Sequence, residues 1–443
     1  MSVSLEEHYA KLEARFQLRA SPDYERLVVP QGNADESVHR WFHMKEAYSP
    51  YLLSRILKDL SIDTSSGLSL HDPFMGSGTT LVSALLAEGA PSVTVSGSEI
   101  NPFLYLLSSV KASVLSLDAT ARAGVGELLL SESENVMKAA VASGRYAPRP
   151  ELAAFSNPDY FDQGHLAELL RMRDAWTGLS SGIVADLIGV CLAGCLEPCS
   201  RLRRDGRALR YVATKQPESP RAEFARRVAL VQEDLCSISP QGHAVVAFAS
   251  AMDSKSWPSA GSGVDVVCFS PPYPNNIDYT EVYKLEAWFL KLIDSQSAFK
   301  LQRQATMQSH PSIIFPARSE CELSDKLKRE VISVGRPLLE AVPSDRYMNQ
   351  RSRMIKGYLV DVATVMSHSY SVLKPGGYAV YVVGNSRHGT GSAQFTIASD
   401  VVIATLAETV GFDVQEVKVA RSLHRRGKHE HLRESVVMLR KVA

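Results

Sequence analysis

Asp265-Val-Val-Cys-Phe-Ser-Pro-Pro-Tyr273 is the stretch from which the fold of this chain can be predicted. Val266 to Phe269 form an apolar run, which indicates a short buried strand, and two prolines follow soon after it. Proline lacks a backbone N–H and fixes its own φ, so the chain must leave the sheet at Pro271. The sequence therefore predicts a rigid turn at the carboxyl end of a strand, carrying a hydroxyl (Ser270), backbone carbonyls and an aromatic ring (Tyr273). Ligands bind at that edge of open α/β sheets, and this turn suits a planar substrate with an amino group.

A glycine-containing turn lies upstream, in Leu68-Ser-Leu-His-Asp-Pro-Phe-Met-Gly-Ser-Gly-Thr-Thr80, between a predicted strand and a predicted helix. Gly76 and Gly78 allow positive φ and a close approach of the backbone to a ligand. Thr79 and Thr80 can cap the helix, whose first N–H groups attract a carboxylate or a phosphate. The turn is neither a P-loop nor a dinucleotide fingerprint, because the residues that define those motifs are absent.

A second strand is predicted over Val93 to Ser98, one βαβ unit further along the chain. It ends in Glu99, which is followed by Asn101 and Pro102. An acidic residue at this strand end is placed to bind the hydroxyls of a ribose. The two strands and their turns therefore predict a nucleoside-binding edge.

Together, Asp-Pro-Phe-Met-Gly-Ser-Gly-Thr-Thr and the later Ser-Pro-Pro-Tyr resemble the motifs of the S-adenosylmethionine-dependent DNA amino-methyltransferases. That family methylates cytosine N4 or adenine N6. Ser270 in first place is more similar to the cytosine-N4 branch, since the adenine branch more often has Asp or Asn there. The resemblance covers roughly residues 39–110 and 240–443 and is weak for 111–235.

The resemblance implies S-adenosylmethionine as cofactor and a catalytic turn made of Ser270, Pro271, Pro272 and Tyr273. The Ser270 hydroxyl and the Pro271 carbonyl would accept hydrogen bonds from the target amine, and Tyr273 would stack on a base that has left the duplex. The implied cofactor site has the methionine end near Tyr48 and the adenine amino group near Asp253. The residues implied for the cofactor site are Tyr48, Ser49, Asp72, Phe74, Gly76, Gly78, Thr79, Thr80, Glu99, Asn101 and Asp253.

The composition of the 443-residue chain limits its class, because 48 Lys and Arg balance 48 Asp and Glu. A net charge of zero is unusual for a nucleic-acid-binding protein, so affinity for phosphate must come from local patches. The polar, acidic first residues do not form a signal peptide, and no run of 18 apolar residues would span a membrane. The six cysteines are too few for a disulfide framework. We therefore expect a cytoplasmic protein with no membrane contact.

Two arginine-rich segments could form such patches, at residues 200–211 and in the loop of the C-terminal hairpin. The first has five arginines against one aspartate. A solvated basic loop is the alternative interpretation, but contact with DNA phosphates is favoured because the chain is neutral elsewhere. The candidate nucleic-acid-binding residues are Arg201, Arg203, Arg204, Arg207, Arg210, Arg425 and Arg426.

The order of predicted elements favours an α/β fold with a doubly wound, mostly parallel, Rossmann-like methyltransferase sheet. An antiparallel C-terminal hairpin and a helical insert complete it. We expect an N-terminal arm at 1–38, with a helix from Leu5 to Leu18, and a methyltransferase domain at 39–110 and 236–443. The insert at 111–235, with no strand pattern, is the candidate target-recognition region, and 295–345 is a second excursion. Cysteines 191, 195 and 199 share a helix face there, and we predict a helix contact rather than a metal site.

The sequence thus predicts a site-specific DNA methyltransferase that acts on the exocyclic amine of a flipped base, with cytosine N4 as the first choice. An adenine-N6 enzyme, an RNA base amino-methyltransferase and a non-catalytic nucleic-acid-binding subunit remain as alternatives. Methylation at cytosine C5 is disfavoured, because it needs a cysteine nucleophile at the turn and Cys268 lies inside the strand. Double-stranded DNA is the expected partner, and a cognate restriction or defence nuclease is a further candidate.

Overall fold

An eight-stranded sheet forms the centre of the computed structural model. The structure describes residues 4–87, 89, 92–141, 159–205, 209–275, 277–316, 323–390, 393–423 and 431–442. The strands of the described chain, inside and outside this sheet, are β1 (Leu18–Ala20), β2 (Leu68–Asp72), β3 (Val93–Glu99), β4 (Leu202–Arg204), β5 (Leu209–Tyr211), β6 (Gly242–Phe248), β7 (Val264–Phe269), β8 (Leu373–Gly384), β9 (Ser386–Thr390), β10 (Ala393–Ile397), β11 (Phe412–Ser422) and β12 (Arg433–Lys441).

Helices cover both faces of this sheet. Among the described residues, none is both long and apolar enough to cross a membrane. The α-helices of the described chain are α1 (Leu5–Glu13), α2 (Leu52–Asp59), α3 (Thr79–Leu85), α4 (Pro102–Leu115), α5 (Ala119–Ala140), α6 (Gln163–Trp176), α7 (Ile183–Cys195), α8 (Pro220–Ser237), α9 (Tyr279–Val282), α10 (Lys284–Phe289), α11 (Gln296–Ala305), α12 (Asp325–Glu340), α13 (Met348–Val372) and α14 (Ser399–Val410).

The strand order of the central sheet is β1-β11-β12-β8-β7-β2-β3-β6. The five consecutive strands β8, β7, β2, β3 and β6 are all parallel. From β2 the chain first adds β3 and β6 on one side, and it later adds β7 and β8 on the other. The order of winding therefore reverses between β2 and β7, where a crevice opens at the carboxyl ends. This mostly parallel α/β sheet confirms the predicted fold class.

The predicted antiparallel hairpin is present, but it does not form the outer edge of the sheet. β12 runs antiparallel to both β8 and β11, and β1 pairs in parallel with β11 through Leu18 and Val417. The helix predicted from Leu5 to Leu18 was therefore too long, since α1 ends at Glu13. Part of the expected arm is a strand because the backbone of β1 satisfies the open edge of β11.

Side chains of β7 alternate between two hydrophobic cores. Val266 and Cys268 lie in one core, and Val267 and Phe269 lie in the other. Both faces of the strand are buried, which explains why the sequence has a continuous apolar run rather than an alternating one. The substrate-turn candidate thus begins at the end of a rigid central strand.

The helices α5 to α8 share the first of these cores with α4 and the sheet. Cys191, Cys195 and Cys199 are buried in it. The expectation that 111–235 holds no strand was wrong, because β4 and β5 pair as an antiparallel ribbon. The strands are three residues long and rich in arginine, so no apolar alternation marked them.

Candidate functional site

A cavity of about 340 Å³ opens at the carboxyl ends of the parallel strands, where the winding reverses. Turns that follow four different strands contribute to its wall. The lining residues from these turns are Pro73, Phe74 and Gly76 after β2, Glu99, Ile100 and Asn101 after β3, Ala249, Ser250, Ala251 and Met252 after β6, and Ser270, Pro271, Pro272 and Tyr273 after β7.

The Asp72 carboxylate holds the two ends of the glycine turn together. One of its oxygens accepts a hydrogen bond from the Phe74 N–H at 2.9 Å, and the other accepts one from the Thr80 hydroxyl. Gly76 and Gly78 have φ values of 52° and 83°, in the left-handed region that favours glycine. The turn therefore keeps a fixed shape. At Gly76, the surface that faces the cavity is bare backbone.

Only part of the predicted cofactor set reaches the cavity itself. Tyr48, Phe74, Gly76, Glu99 and Asn101 line it. The remaining residues of the turn support the wall from behind, and the Tyr48 hydroxyl bonds to the Thr80 hydroxyl there. The residues in this supporting layer are Ser49, Asp72, Gly78, Thr79 and Thr80.

Burial changes the ionisation of two groups beneath the glycine turn. It raises the pKa of Asp72 to about 7, against the hydrogen bonds from Thr80 and Phe74, which lower it, while the nearby Glu99 charge adds to the rise. Burial also lowers the pKa of Lys111 to about 7. The Lys111 ammonium donates to the Ser77 carbonyl at 2.8 Å, and so fixes the turn from below.

Glu99 connects the second strand end to the glycine turn. Its Oε1 accepts hydrogen bonds from the N–H groups of Ile100 and Asn101 at 2.9 and 2.7 Å. Its Oε2 accepts one from the Gly76 N–H at 2.8 Å. Burial raises the pKa of Glu99, although these three N–H groups lower it. Backbone donors thus hold the Glu99 carboxylate at the cavity wall.

The four residues of the Ser-Pro-Pro-Tyr turn all line the cavity. The Ser270 hydroxyl can donate its one proton to the Val382 carbonyl at 3.0 Å or to the Tyr273 hydroxyl at 3.3 Å, so its lone pairs stay available as acceptors. The Tyr273 ring lies against Gly384, where an added Cβ would come within 2.6 Å of the ring. The Tyr273 hydroxyl donates to Glu434 at 2.8 Å, and this bond fixes the ring from the opposite end.

Some cavity residues were missed by sequence reasoning. Gln302 lines the cavity from α11, and both its amide nitrogen and its amide oxygen are buried without a hydrogen-bond partner among the described residues. Asn275 and Asp278 also line it and follow the proline turn directly, so their position in the sequence could have identified them. Glu434 lies 161 residues from Tyr273 in sequence, and no local pattern indicated its place.

Asp253 is not brought to the cavity. It is exposed and caps a short 3₁₀ helix, where its side chain accepts a hydrogen bond from the Lys255 N–H at 3.0 Å. The loop after β6 instead turns Ser250, Ala251 and Met252 toward the site. The acidic residue was expected there because it follows the strand, but the chain has already turned away by that point.

The predicted basic patch divides into exposed and buried arginines. Arg203 and Arg210 are exposed and face each other across the β4–β5 ribbon, and Arg201 is partly buried. Arg204 is only 4% exposed, and its guanidinium pairs with Glu286 and with Glu197. Its charge is neutralised inside the protein, so Arg204 is not available to DNA. Three other candidates, Arg207, Arg425 and Arg426, lie outside the described residues.

Three curated relatives are similar to nearly the whole chain. They are the Type II methyltransferase M.AvaI from Nostoc sp. and from Anabaena variabilis, and the Type II methyltransferase M.BsoBI from Geobacillus stearothermophilus. Each is 23% identical to this chain, and the alignments cover 92%, 92% and 91% of it and 86%, 86% and 83% of the relatives. Similarity to methyltransferases implies S-adenosylmethionine as the methyl donor. No protein-family model matches the chain.

A solved structure is also similar to the chain over most of its length. The rRNA methyltransferase aviRa from Streptomyces viridochromogenes is 13% identical, with 94% of this chain and 89% of that chain covered. The TM-score is 0.32.

Asp72 makes the stability of the protein depend on pH in a way that can be tested. Its pKa rises from 3.8 to about 7 on folding, so the unfolded chain loses this proton first as the pH increases. The free energy of unfolding should therefore fall between about pH 4 and pH 7, by up to roughly 4 kcal/mol. Asp72→Asn should remove this decrease, while Asp253→Asn, at an exposed carboxylate, should retain it. Urea denaturation at pH 5 and pH 8 measures the difference, and equal pH slopes in Asp72→Asn and the wild type would contradict it.

Proposed function

We propose that this protein is an S-adenosylmethionine-dependent DNA methyltransferase that methylates the exocyclic amine of a flipped base, with cytosine N4 as the first choice. The observation that carries the proposal is the shared cavity. The glycine turn after β2 and the Ser-Pro-Pro-Tyr turn after β7 line the same space, although they are far apart in sequence. Similarity to Type II methyltransferases over 91–92% of the chain supports it independently.

The residues around the cavity fit the cofactor. The Glu99 carboxylate would accept hydrogen bonds from ribose hydroxyls, and the bare backbone of Gly76 would allow close approach. The loop of Ala249 to Met252 would border the adenine, in place of Asp253. When bound, S-adenosylmethionine supplies a methyl group made electrophilic by a sulfonium. The protein's task is then to position an amine against it.

An exocyclic base amine is a poor nucleophile, because its lone pair is delocalised into the ring. Acceptors around its two N–H bonds favour a tetrahedral, nucleophilic nitrogen. The Ser270 hydroxyl can act in this way, since its own proton is donated either to the Val382 carbonyl or to the Tyr273 hydroxyl. The Pro271 carbonyl is the second acceptor. Correct positioning of two reactants can be worth roughly 7–11 kcal/mol, so no covalent intermediate with the enzyme is needed.

Cys268 does not act as a nucleophile in this proposal. It lies inside β7 with its side chain in the hydrophobic core, and burial raises the pKa of its thiol. A neutral, enclosed thiol cannot attack cytosine C6, as C5 methylation would require. The proposal is therefore limited to transfer onto an amine.

The β4–β5 ribbon is the part of the described chain that we propose to contact DNA phosphates. Arg203 and Arg210 are directly opposite each other, and like charges in that arrangement destabilise a ribbon unless an anion lies between them. Arg204 anchors the ribbon beside the cavity, because its guanidinium pairs with Glu286 of α10 and its carbonyl accepts from Lys45. Lys45 in turn lines the cavity, so the exposed arginines are fixed relative to the site.

Nucleoside mass spectrometry on DNA from cells that express the protein tests the function directly. We expect 4-methylcytosine in the DNA of expressing cells and none in cells that express Ser270→Ala. Finding 6-methyladenine instead would keep the DNA methyltransferase and overturn the choice of cytosine. Finding neither base in DNA, with a methylated amine in RNA, would overturn DNA as the substrate.

Removing either of two cavity features should abolish cofactor binding without unfolding the protein. Glu99→Ala takes the carboxylate away from the ribose position. Gly76→Val adds bulk where the cofactor approaches, and a Cβ there would already lie 3.3 Å from Met44. Calorimetric titration with S-adenosylmethionine measures the affinity, with Glu134→Ala on the exposed surface of α5 as control. Unchanged affinity in both cavity variants would disprove the assignment of this site to the cofactor.

The ribbon makes a separate prediction about salt dependence. Replacing Arg203 and Arg210 with Ser should weaken binding to all DNA sequences and flatten the dependence of affinity on salt, since phosphate contacts release counterions. Replacing Arg15 and Arg19 instead removes the same charge near the β1 edge and should leave the slope unchanged. Binding curves at several salt concentrations decide the matter. If the ribbon variant overlays the wild type, the arginines are only solvated.

The two side chains of the substrate turn should have different kinetic effects. Tyr273→Ala should weaken capture of the extruded base, by about 1–3 kcal/mol for a lost aromatic stack, and Ser270→Ala should not have this effect on DNA affinity. Ser270→Ala should chiefly slow methyl transfer, because the lost acceptor matters most as the amine becomes tetrahedral. Single-turnover rates at saturating DNA, together with DNA affinities, separate these effects. A wild-type rate for Ser270→Ala would show that the hydroxyl only forms the turn.

A further inference from the structure

A line of hydrogen bonds leads from the substrate turn to a carboxylate on the C-terminal hairpin. The Ser270 hydroxyl lies 3.3 Å from the Tyr273 hydroxyl, which donates to Glu434 Oε1 at 2.8 Å. The other carboxylate oxygen, Oε2, accepts from Arg421 Nε at 2.6 Å. Tyr273, Glu434 and Arg421 all line the cavity, and Glu434 is only 5% exposed.

The proposed reaction requires an acceptor for a proton. When the amine nitrogen gains a methyl group it becomes positively charged, and it must lose a proton to give the neutral product. A serine hydroxyl and a proline carbonyl can orient that proton, but both are far weaker bases than a carboxylate. A carboxylate connected to the serine through hydroxyl groups can act as the general base.

On the basis of the proposed function, we infer that Glu434 is the terminal proton acceptor of the methyl transfer, reached through the Ser270 and Tyr273 hydroxyls. The bond from nitrogen to the methyl carbon forms as the bond from sulfur to that carbon breaks. The amine proton passes to the Ser270 oxygen, the Ser270 proton passes to the Tyr273 oxygen, and the Tyr273 proton passes to Glu434. The positive charge that leaves the sulfonium thus ends by neutralising the carboxylate.

The surroundings of Glu434 suit this role. In the described part of the chain, the titratable and charged groups that face it are Tyr273, Tyr279 and Arg421. Burial, and then the charge of Glu434, raise the pKa of Tyr273 well above its usual value, so Tyr273 stays protonated and can only relay. Arg421 holds Oε2 and leaves Oε1 directed at the tyrosine. The alternative is that Glu434 only fixes the Tyr273 ring in place.

Glu434→Gln separates the two roles, because an amide oxygen can still accept from Tyr273 but is not a base. We expect the single-turnover rate at saturating DNA and cofactor to fall by about 10²-fold, within the range for general base catalysis. The dependence of the rate on pH should differ between Glu434→Gln and the wild type, which a merely positioning role would not produce. The affinities for DNA and S-adenosylmethionine should change less than twofold. A wild-type rate in Glu434→Gln would leave only the positioning role and overturn the inference.

Tyr273→Phe provides the second test, since it keeps the aromatic ring and removes the relay. It should slow transfer as much as Glu434→Gln, and the double variant should be no slower than either single one. If the double variant is slower by the product of the two single effects, the two groups do not act on one path, and the inference is overturned. Cofactor affinity and thermal unfolding verify that each variant is folded. The inference and the proposed function fail differently: a wild type that methylates no DNA refutes the function, whereas an active wild type matched by Glu434→Gln refutes only the relay.

Discussion

The pairing of β2 with β7 is the contact on which the rest of the site depends. Leu70 and His71 lie beside Val266 and Val267, and the Asp265 carboxylate accepts from the Ser69 N–H at 2.7 Å across the same pair. Ser69 and Asp265, which form that hydrogen bond, are 196 positions apart in sequence. Because the strands are parallel, both turns leave the sheet at one edge, and the cavity forms between them. Everything inserted between β3 and β6 must therefore fold without disturbing this register.

Local chemistry was enough to predict the fold class and the two turns. Apolar runs such as Val266 to Phe269 mark buried strands, and prolines or glycines mark where a chain must leave them. What could not be predicted depends on distant partners. The short strand β1 exists because β11 offers an open edge, and Glu434 reaches Tyr273 only after the hairpin has inserted into the sheet. Asp253 lies outside the cavity for a related reason, since one turn of chain decides which residues face the cavity.

The arginine segment shows how one short strand can divide like charges between two uses. Neighbouring side chains of a strand point to opposite faces. Arg203 is exposed, while Arg204 is buried over the rings of Phe42 and Tyr283 and paired with Glu286. A count of arginines in the sequence cannot distinguish these two states. The chain has no net charge, yet the buried Arg204 fixes the exposed pair Arg203 and Arg210 in place, and this pair forms a local positive surface.

The position of β12 has a consequence for the order in which this protein can fold. Although it follows β11 in sequence, β12 lies between β8 and β11, so β11 cannot join the sheet before β12 is in place. β1, the first strand of the described chain, pairs with β11 and must wait for both. Such distant pairings slow folding. The strand that carries Glu434 also completes the sheet, so a chain that has not finished folding lacks the partner of Tyr273.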